Sequence, residues 1–222
     1  MEQPKKISRR SFIKGVAILT VAGAVTGTGV WATSTPAYPS ADTNINQEKN
    51  MDKKILVAYA SKCGSTAEVA KTIGQLLSES GVEVEVRSAR EVKKMENYDA
   101  VVMGTAIRMG RPLGEMTNFA KKFNKDLAKL PTALFSVGLS MKEDTAENRA
   151  ETAKFIAPLV EQLPSKKSTA MFGGKVDYKT LSPLLSFMLS KDTSGEMAEG
   201  DYRDWNTINA WANSLPAELG LG

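Results

Sequence analysis

The sequence predicts an α/β chain built on a doubly wound, five-stranded parallel sheet in the order 2-1-3-4-5. Three observations predict it. Apolar runs of strand length are continuous at Ile55 to Ala60, Ala100 to Met103 and Ala133 to Val137, as central parallel strands require. Residues at helical spacing fall between such runs. The remaining early run, Val82-Glu83-Val84-Glu85-Val86, alternates strictly, which suits a strand with one wet face or an edge position guarded by charge.

Taken in order, Ile55 to Ala60 is the first strand, and Ala67, Ala70, Ile73, Leu76 and Leu77 mark the first helix. Val82 to Val86 is the second strand and Ala100 to Met103 the third. Phe119 to Leu130 reads as a helix ended by Pro131, and Ala133 to Val137 as the fourth strand. Asn148 to Leu163, ended by Pro164, is the next helix, and Ser168 to Phe172 the fifth strand. Trp205, Ile208, Trp211 and Leu215 make the apolar stripe of a last helix. Between these lies Tyr178 to Lys191, with Leu181, Leu184, Leu185, Phe187, Met188 and Leu189 beside Pro183. This segment reads either as a helix on the domain's own core or as a docking surface for a membrane or an apolar partner.

Composition narrows the chemistry. The 222 residues are 42% hydrophobic and 24% charged, with a net charge of +4. The excess sits at the N-terminus, where Lys5, Lys6, Arg9, Arg10 and Lys14 face Glu2 alone; from position 33 onward the signs balance. A nucleic-acid partner is therefore not expected. With no histidine and a single cysteine, a His/Cys metal site, a Ser-His or Cys-His nucleophile pair and an intrachain disulfide are excluded by counting. Redox or acid-base chemistry falls to a bound cofactor, to carboxylates, Lys and Tyr, or to Cys63, and no catalytic residue stands out.

Three segments are expected. Residues 1–32 are a signal or anchor: Ser8-Arg9-Arg10-Ser11-Phe12-Ile13-Lys14 precedes a Gly- and Thr-diluted apolar stretch from Gly15 to Ala32. The stretch is less apolar than a comfortable membrane span of ~20 residues. It resembles a twin-arginine export signal, which implies export of a folded, cofactor-loaded protein to the periplasm or outer face of the cytoplasmic membrane. Only partial cleavage matches occur at Thr35-Pro36-Ala37 and Pro39-Ser40-Ala41, so retention as an anchor through residues 16–32 stays open. Residues 33–52 read as a flexible tether, with folding expected to begin near Lys53; residues 53–222 form the domain.

After the first strand, Ser61-Lys62-Cys63-Gly64-Ser65-Thr66 sets three hydroxyls and a glycine at a helix N-terminus, an arrangement that binds phosphate. Ser65 and Glu68 also have capping-box spacing, so helix capping is the plainer alternative. Cys63 at a helix N-terminus is either a reactive thiol or a small loop filler. The loop resembles the Ser/Thr-x-Thr-Gly-x-Thr phosphate loop of flavodoxins, with Cys63 in place of the usual Thr. Residues 53 to 215 more closely resemble the flavodoxin-like, menaquinone-linked protoporphyrinogen oxidases. The resemblance rests on Asn97-Tyr98-Asp99, Gly104-Thr105-Ala106-Ile107-Arg108-Met109-Gly110, Pro131 to Ser140, and Asp201-Tyr202-Arg203-Asp204-Trp205.

The resemblance implies FMN. Ser61, Lys62, Cys63, Gly64, Ser65 and Thr66 would hold its phosphate, while the loops at 104–110 and 136–141 flank its ring. Thr105, Ala106, Ile107 and Gly138 would supply backbone groups, Arg108 would meet flavin or an anionic substrate or else form a plain surface ion pair, and Met109 stands where relatives often carry Tyr. Neither loop carries an aromatic ring to stack on the flavin. Two functions are expected: an oxidoreductase passing electrons from a reduced tetrapyrrole or similar substrate through FMN to a quinone, or an exported electron carrier with a protein redox partner. A domain that has lost flavin is a third reading.

Overall fold

The computed structural model describes residues 40–45, 53–190 and 198–221. The Arg9-Arg10 run, the stretch 15–32 and most of 33–52 lie outside the described residues. Contacts divide the chain at 175/176 and 200/201. The larger unit holds the main sheet, and residues 176–200 belong to the smaller one.

Seven strands make the main sheet of the larger unit: β1 (Thr43–Ile45), β2 (Lys54–Ala60), β3 (Glu83–Ser88), β4 (Ala100–Arg108), β5 (Arg111–Pro112), β6 (Thr132–Gly138) and β7 (Lys166–Gly173). Lys175–Val176 and Gly200–Asp201 are short strands β8 and β9. The path β1-β3-β2-β4-β6-β7 contains the expected parallel order 2-1-3-4-5, with β2 paired to β3 and β4, and β6 to β4 and β7.

Burial explains the continuous runs. Ile55, Val57, Val102 and Phe135 point to one face of the sheet, where they meet Ile73 and Leu77 of α1 (Ser65–Glu79) and Ile208 and Leu215 of α6 (Trp205–Glu218). Leu56, Met103 and Leu134 point to the other. There they meet Met116 and Phe119 of α2 (Gly114–Lys122), Leu127 of α3 (Asn124–Leu127), and Ile156 and Leu159 of α4 (Ala146–Val160). A strand with helices on both faces has no wet side, so no alternation is needed.

The structure corrects the expectations for β3, for the segment before Lys53 and for the helix over 119–130. β3 is not the edge strand: Thr43–Ile45, read as tether, pairs antiparallel to it, with Thr43 opposite Val86. Asp42 Oδ1 accepts from the Ser88 amide at 2.6 Å and from the Tyr59 hydroxyl at 2.9 Å. Sheet structure is thus present before Lys53, and among the described residues the edge is the short strand Thr43–Ile45. The charged side of β3 is not simply wet either, because Glu85 accepts from Arg87 at 2.6 Å and Tyr98 at 2.9 Å. The helix expected over 119–130 instead begins at Gly114 and breaks at Phe123 into α2 and α3.

In the smaller unit, Tyr178–Thr180 forms a 3-10 turn capped by Asp177, and α5 spans Pro183–Ser190. Phe187 is 63% exposed. The side chains of Leu185, Met188 and Leu189 lie outside the described residues, as does Lys191. No helix among the described residues is long and apolar enough to cross a membrane.

Candidate cofactor site at the strand ends

β2, β4 and β6 are parallel neighbours, so the segments that follow them emerge at one edge of the sheet, where a doubly wound fold binds its ligand. The first is Ser61 to Gly64. Gly64 occupies the left-handed region at φ 88, which lets the chain turn sharply into α1. Its amide donates to Ser61 Oγ at 3.1 Å, and its carbonyl accepts the Glu68 amide at 3.0 Å. No side chain caps the helix. Ser65 is therefore the first helical residue rather than the cap, and the capping-box alternative is set aside. The first-turn amides that a helix leaves without intrahelical acceptors remain for a ligand.

Thr66 points the same way. It is fully buried, and its Oγ1 is one of three buried side-chain polar atoms among the described residues without a hydrogen-bond partner. Leaving such a group unsatisfied costs about 1–3 kcal/mol. A phosphate at this helix end would satisfy the hydroxyl and the amides together. Lys62 reaches Glu115 on α2 at 2.8 Å, which holds the Glu115 carboxyl below its ordinary value despite opposing burial. A phosphate at this point would meet amides and hydroxyls more than a free cation. Cys63 is half-buried and forms no disulfide.

The segment expected to be a loop at 104–110 is a β-hairpin. β4 runs on to Arg108, Met109 and Gly110 turn with φ 53 and φ 73, and Arg111–Pro112 return antiparallel. Thr105 is buried, and its Oγ1 accepts the Leu113 amide at 3.2 Å while donating to the Ala106 carbonyl at 3.2 Å. Leu113 also donates to that carbonyl at 3.2 Å, so the side chain of Thr105 and the carbonyl of Ala106 serve the hairpin itself. Ile107 is half-buried and lies opposite Pro112, at the pair that asks no N–H of the proline. Arg108 and Met109 are exposed, Met109 by 50%.

The third segment begins at Gly138, extended at the end of β6, where an added Cβ would stand 3.0 Å from the Ile107 Cβ. β4 and β6 therefore stay in close contact at the site. Leu139–Met141 forms a 3-10 turn in which Ser140 Oγ accepts from Thr152 at 2.8 Å.

Two features escaped the sequence reading. Ser136, opposite Thr105 in the sheet, is buried with an unpartnered Oγ. Arg203, noted only as part of a motif, braces the phosphate loop. Its side chain is 3% exposed, and it donates to Asp201 at 2.7 and 2.6 Å and to Glu68 at 2.7 Å. It also contacts the Ser65 carbonyl at 3.4 Å and lies over the Trp205 ring at 4.6 Å. Burial opposes its charge, but the bonds to Asp201 and Glu68 outweigh that and hold its pKa above the ordinary value. A buried arginine is visible in sequence only once its acidic partners are known.

The family model for the flavodoxin domain matches residues 56–201, and the chain belongs to that family. Its cofactor is FMN, and Thr66 with the uncapped α1 terminus fits the phosphate that distinguishes it. Among curated proteins, the chain is distantly similar to the protoporphyrinogen IX dehydrogenase [quinone] of Escherichia coli. The two are 27% identical over 173 residues, covering 73% of this chain and 94% of that protein. The protein of the same name from Leishmania major is 27% identical over 176 residues, 74% of this chain and 75% of its own. Among solved structures, a flavodoxin variant from Pseudomonas aeruginosa aligns with 75% of this chain and 99% of its own at 15% identity, with a TM-score of 0.45.

Proposed function

We propose that this flavoprotein is an FMN-dependent oxidoreductase that takes electrons from a reduced tetrapyrrole or similar substrate and passes them to a quinone. The observation that carries the reading is the match to a quinone-linked protoporphyrinogen dehydrogenase along 94% of that relative's length. FMN supplies the reversible electron chemistry when bound. The chain's own residues supply position: the α1 terminus and Thr66 hold the phosphate end, and Arg203 fixes that terminus against the start of α6. The hairpin of β4 and β5 presents Met109 rather than an aromatic ring, which suits a flat reductant or quinone meeting the flavin directly.

A second reading, an exported carrier with a protein redox partner, is favoured by the Arg9-Arg10 run. That run supports export by the twin-arginine route, whereas haem precursors are made in the cytoplasm. Anaerobic mixing of the FMN-loaded protein with protoporphyrinogen decides between them. The oxidised-flavin absorbance bleaches and returns on adding menadione if the first reading holds. A flavin that dithionite reduces but protoporphyrinogen does not would leave the carrier reading.

A further inference from the structure

We propose that the β4–β5 hairpin is the binding site for the anionic end of an aromatic redox substrate, a planar and largely apolar molecule bearing a carboxylate. This deepens the oxidoreductase reading and rests on it for the word substrate; the anion site itself rests on the hairpin.

Arg108, Met109, Arg111, Pro112, Leu113 and Gly114 line a depression of about 330 Å³. Arg108 and Arg111 are direct cross-strand partners at the mouth of the turn, and both line this one depression. Like charges set opposite one another weaken a hairpin. Among the described residues neither guanidinium has a salt bridge or a side-chain hydrogen bond to relieve the repulsion; the nearby acid, Glu115, is engaged by Lys62 at 2.8 Å. α2 begins at Gly114, but Glu115 sits in its first turn and accepts from the backbone there, so the positive field of the depression is that of the two guanidiniums.

The rest of the lining is apolar. Pro112 and Leu113 form part of it, and Met109 stands half-exposed at the tip, held at φ 53, where an L residue pays a conformational cost. Guanidiniums pair with planar carboxylates through parallel N–H bonds, and the apolar wall suits a ring system rather than a sugar phosphate.

The test uses FMN-loaded full-length protein and two probes of one shape: anthraquinone-2-carboxylate and the uncharged anthraquinone-2-carboxamide, with binding followed by fluorescence quenching. The protein is expected to bind the carboxylate about tenfold more tightly than the amide, from two exposed ion pairs. The preference should shrink with added salt and vanish in Arg108→Gln/Arg111→Gln, while Arg111→Gln alone halves its logarithm. Equal affinities for the two probes overturn the proposal, as does a preference that survives the double substitution. Loss of FMN affinity in Arg108→Gln would assign that guanidinium to the flavin and also overturn it. If the preference holds while protoporphyrinogen leaves the flavin oxidised, the tetrapyrrole reading falls and the anion site stands.

Discussion

Arg203, just ahead of α6, donates to Glu68 in the first turn of α1 at 2.7 Å, so the end of the domain braces its cofactor loop. Replacing Arg203 by Gln leaves Glu68 negative in the first turn of α1, where the phosphate is proposed to bind, and Asp201 without its two bonds. Because Glu68 and Asp201 are 36% and 39% exposed, the expected stability loss is about 2 kcal/mol, less than a fully buried pair costs. FMN should weaken more than riboflavin, and adding Glu68→Gln should restore part of the FMN affinity without restoring the melting temperature. The Arg203 bonds also lower the Asp201 pKa from its ordinary 3.8. A depressed carboxylate stabilises the fold above its unfolded pKa, and the contribution is lost as pH falls through the folded value. Acid melts below about pH 4 should therefore be shallower in Arg203→Gln than in the parent; identical acid limbs would contradict this linkage.

Thr66 predicts effects of opposite sign. Its Oγ1 is buried without a partner, so Thr66→Val should leave the flavin-free protein as stable or slightly more stable. The same substitution should weaken FMN about tenfold or more, the worth of one hydrogen bond to a charged group, and leave riboflavin nearly unchanged. Titrating both flavins checks it. Equal losses for the two would show that this hydroxyl does not serve the phosphate.

Asp42 ties β1 to the sheet through the Ser88 amide and Tyr59, and Tyr59 OH also accepts the Ala41 amide at 2.9 Å. Asp42→Ala should cost about 1–2 kcal/mol, because it leaves two donors without their acceptor. A protein begun at Lys53 should lose at least as much. A melting temperature unchanged by both would return residues 40–45 to the role of tether.

The same residues show where the sequence was legible. β2, β4 and β6 could be read because a strand covered on both faces must be apolar throughout, as Leu56, Met103 and Leu134 are. Thr43–Ile45 could not, since a three-residue edge strand has no periodicity and owes its place to Asp42 and a distant Tyr59. The turn into α1 was legible because Gly64 and the hydroxyls around it are contiguous. The hairpin was not: Gly110 and Pro112 mark a turn in sequence, but antiparallel pairing depends on Thr105 and Leu113, eight residues apart. Arg203 and Glu68 stand farther apart still, and nothing local announces their pairing.

Export is expected to depend on Arg9 and Arg10. Changing both to Lys keeps the charge and removes the guanidinium pair that a twin-arginine signal requires. The double variant should accumulate in the cytoplasm with FMN bound, as fractionation and flavin fluorescence would show. Undiminished export would sink the assignment.

Phe187 on α5 tests where an apolar electron acceptor engages the chain. A core position would not tolerate a charge, whereas a side chain 63% exposed should accept one at a much smaller cost. Phe187→Glu is thus expected to keep its melting temperature and FMN content. If α5 is the docking segment of a lipid-soluble quinone, the charge should slow reduction of a long-chain menaquinone analogue while sparing a small soluble quinone, which needs no apolar landing site. Measuring both acceptors on the same preparation separates docking from damage: equal slowing of the two would mark a general defect, and unchanged rates with both would remove α5 from the acceptor's path.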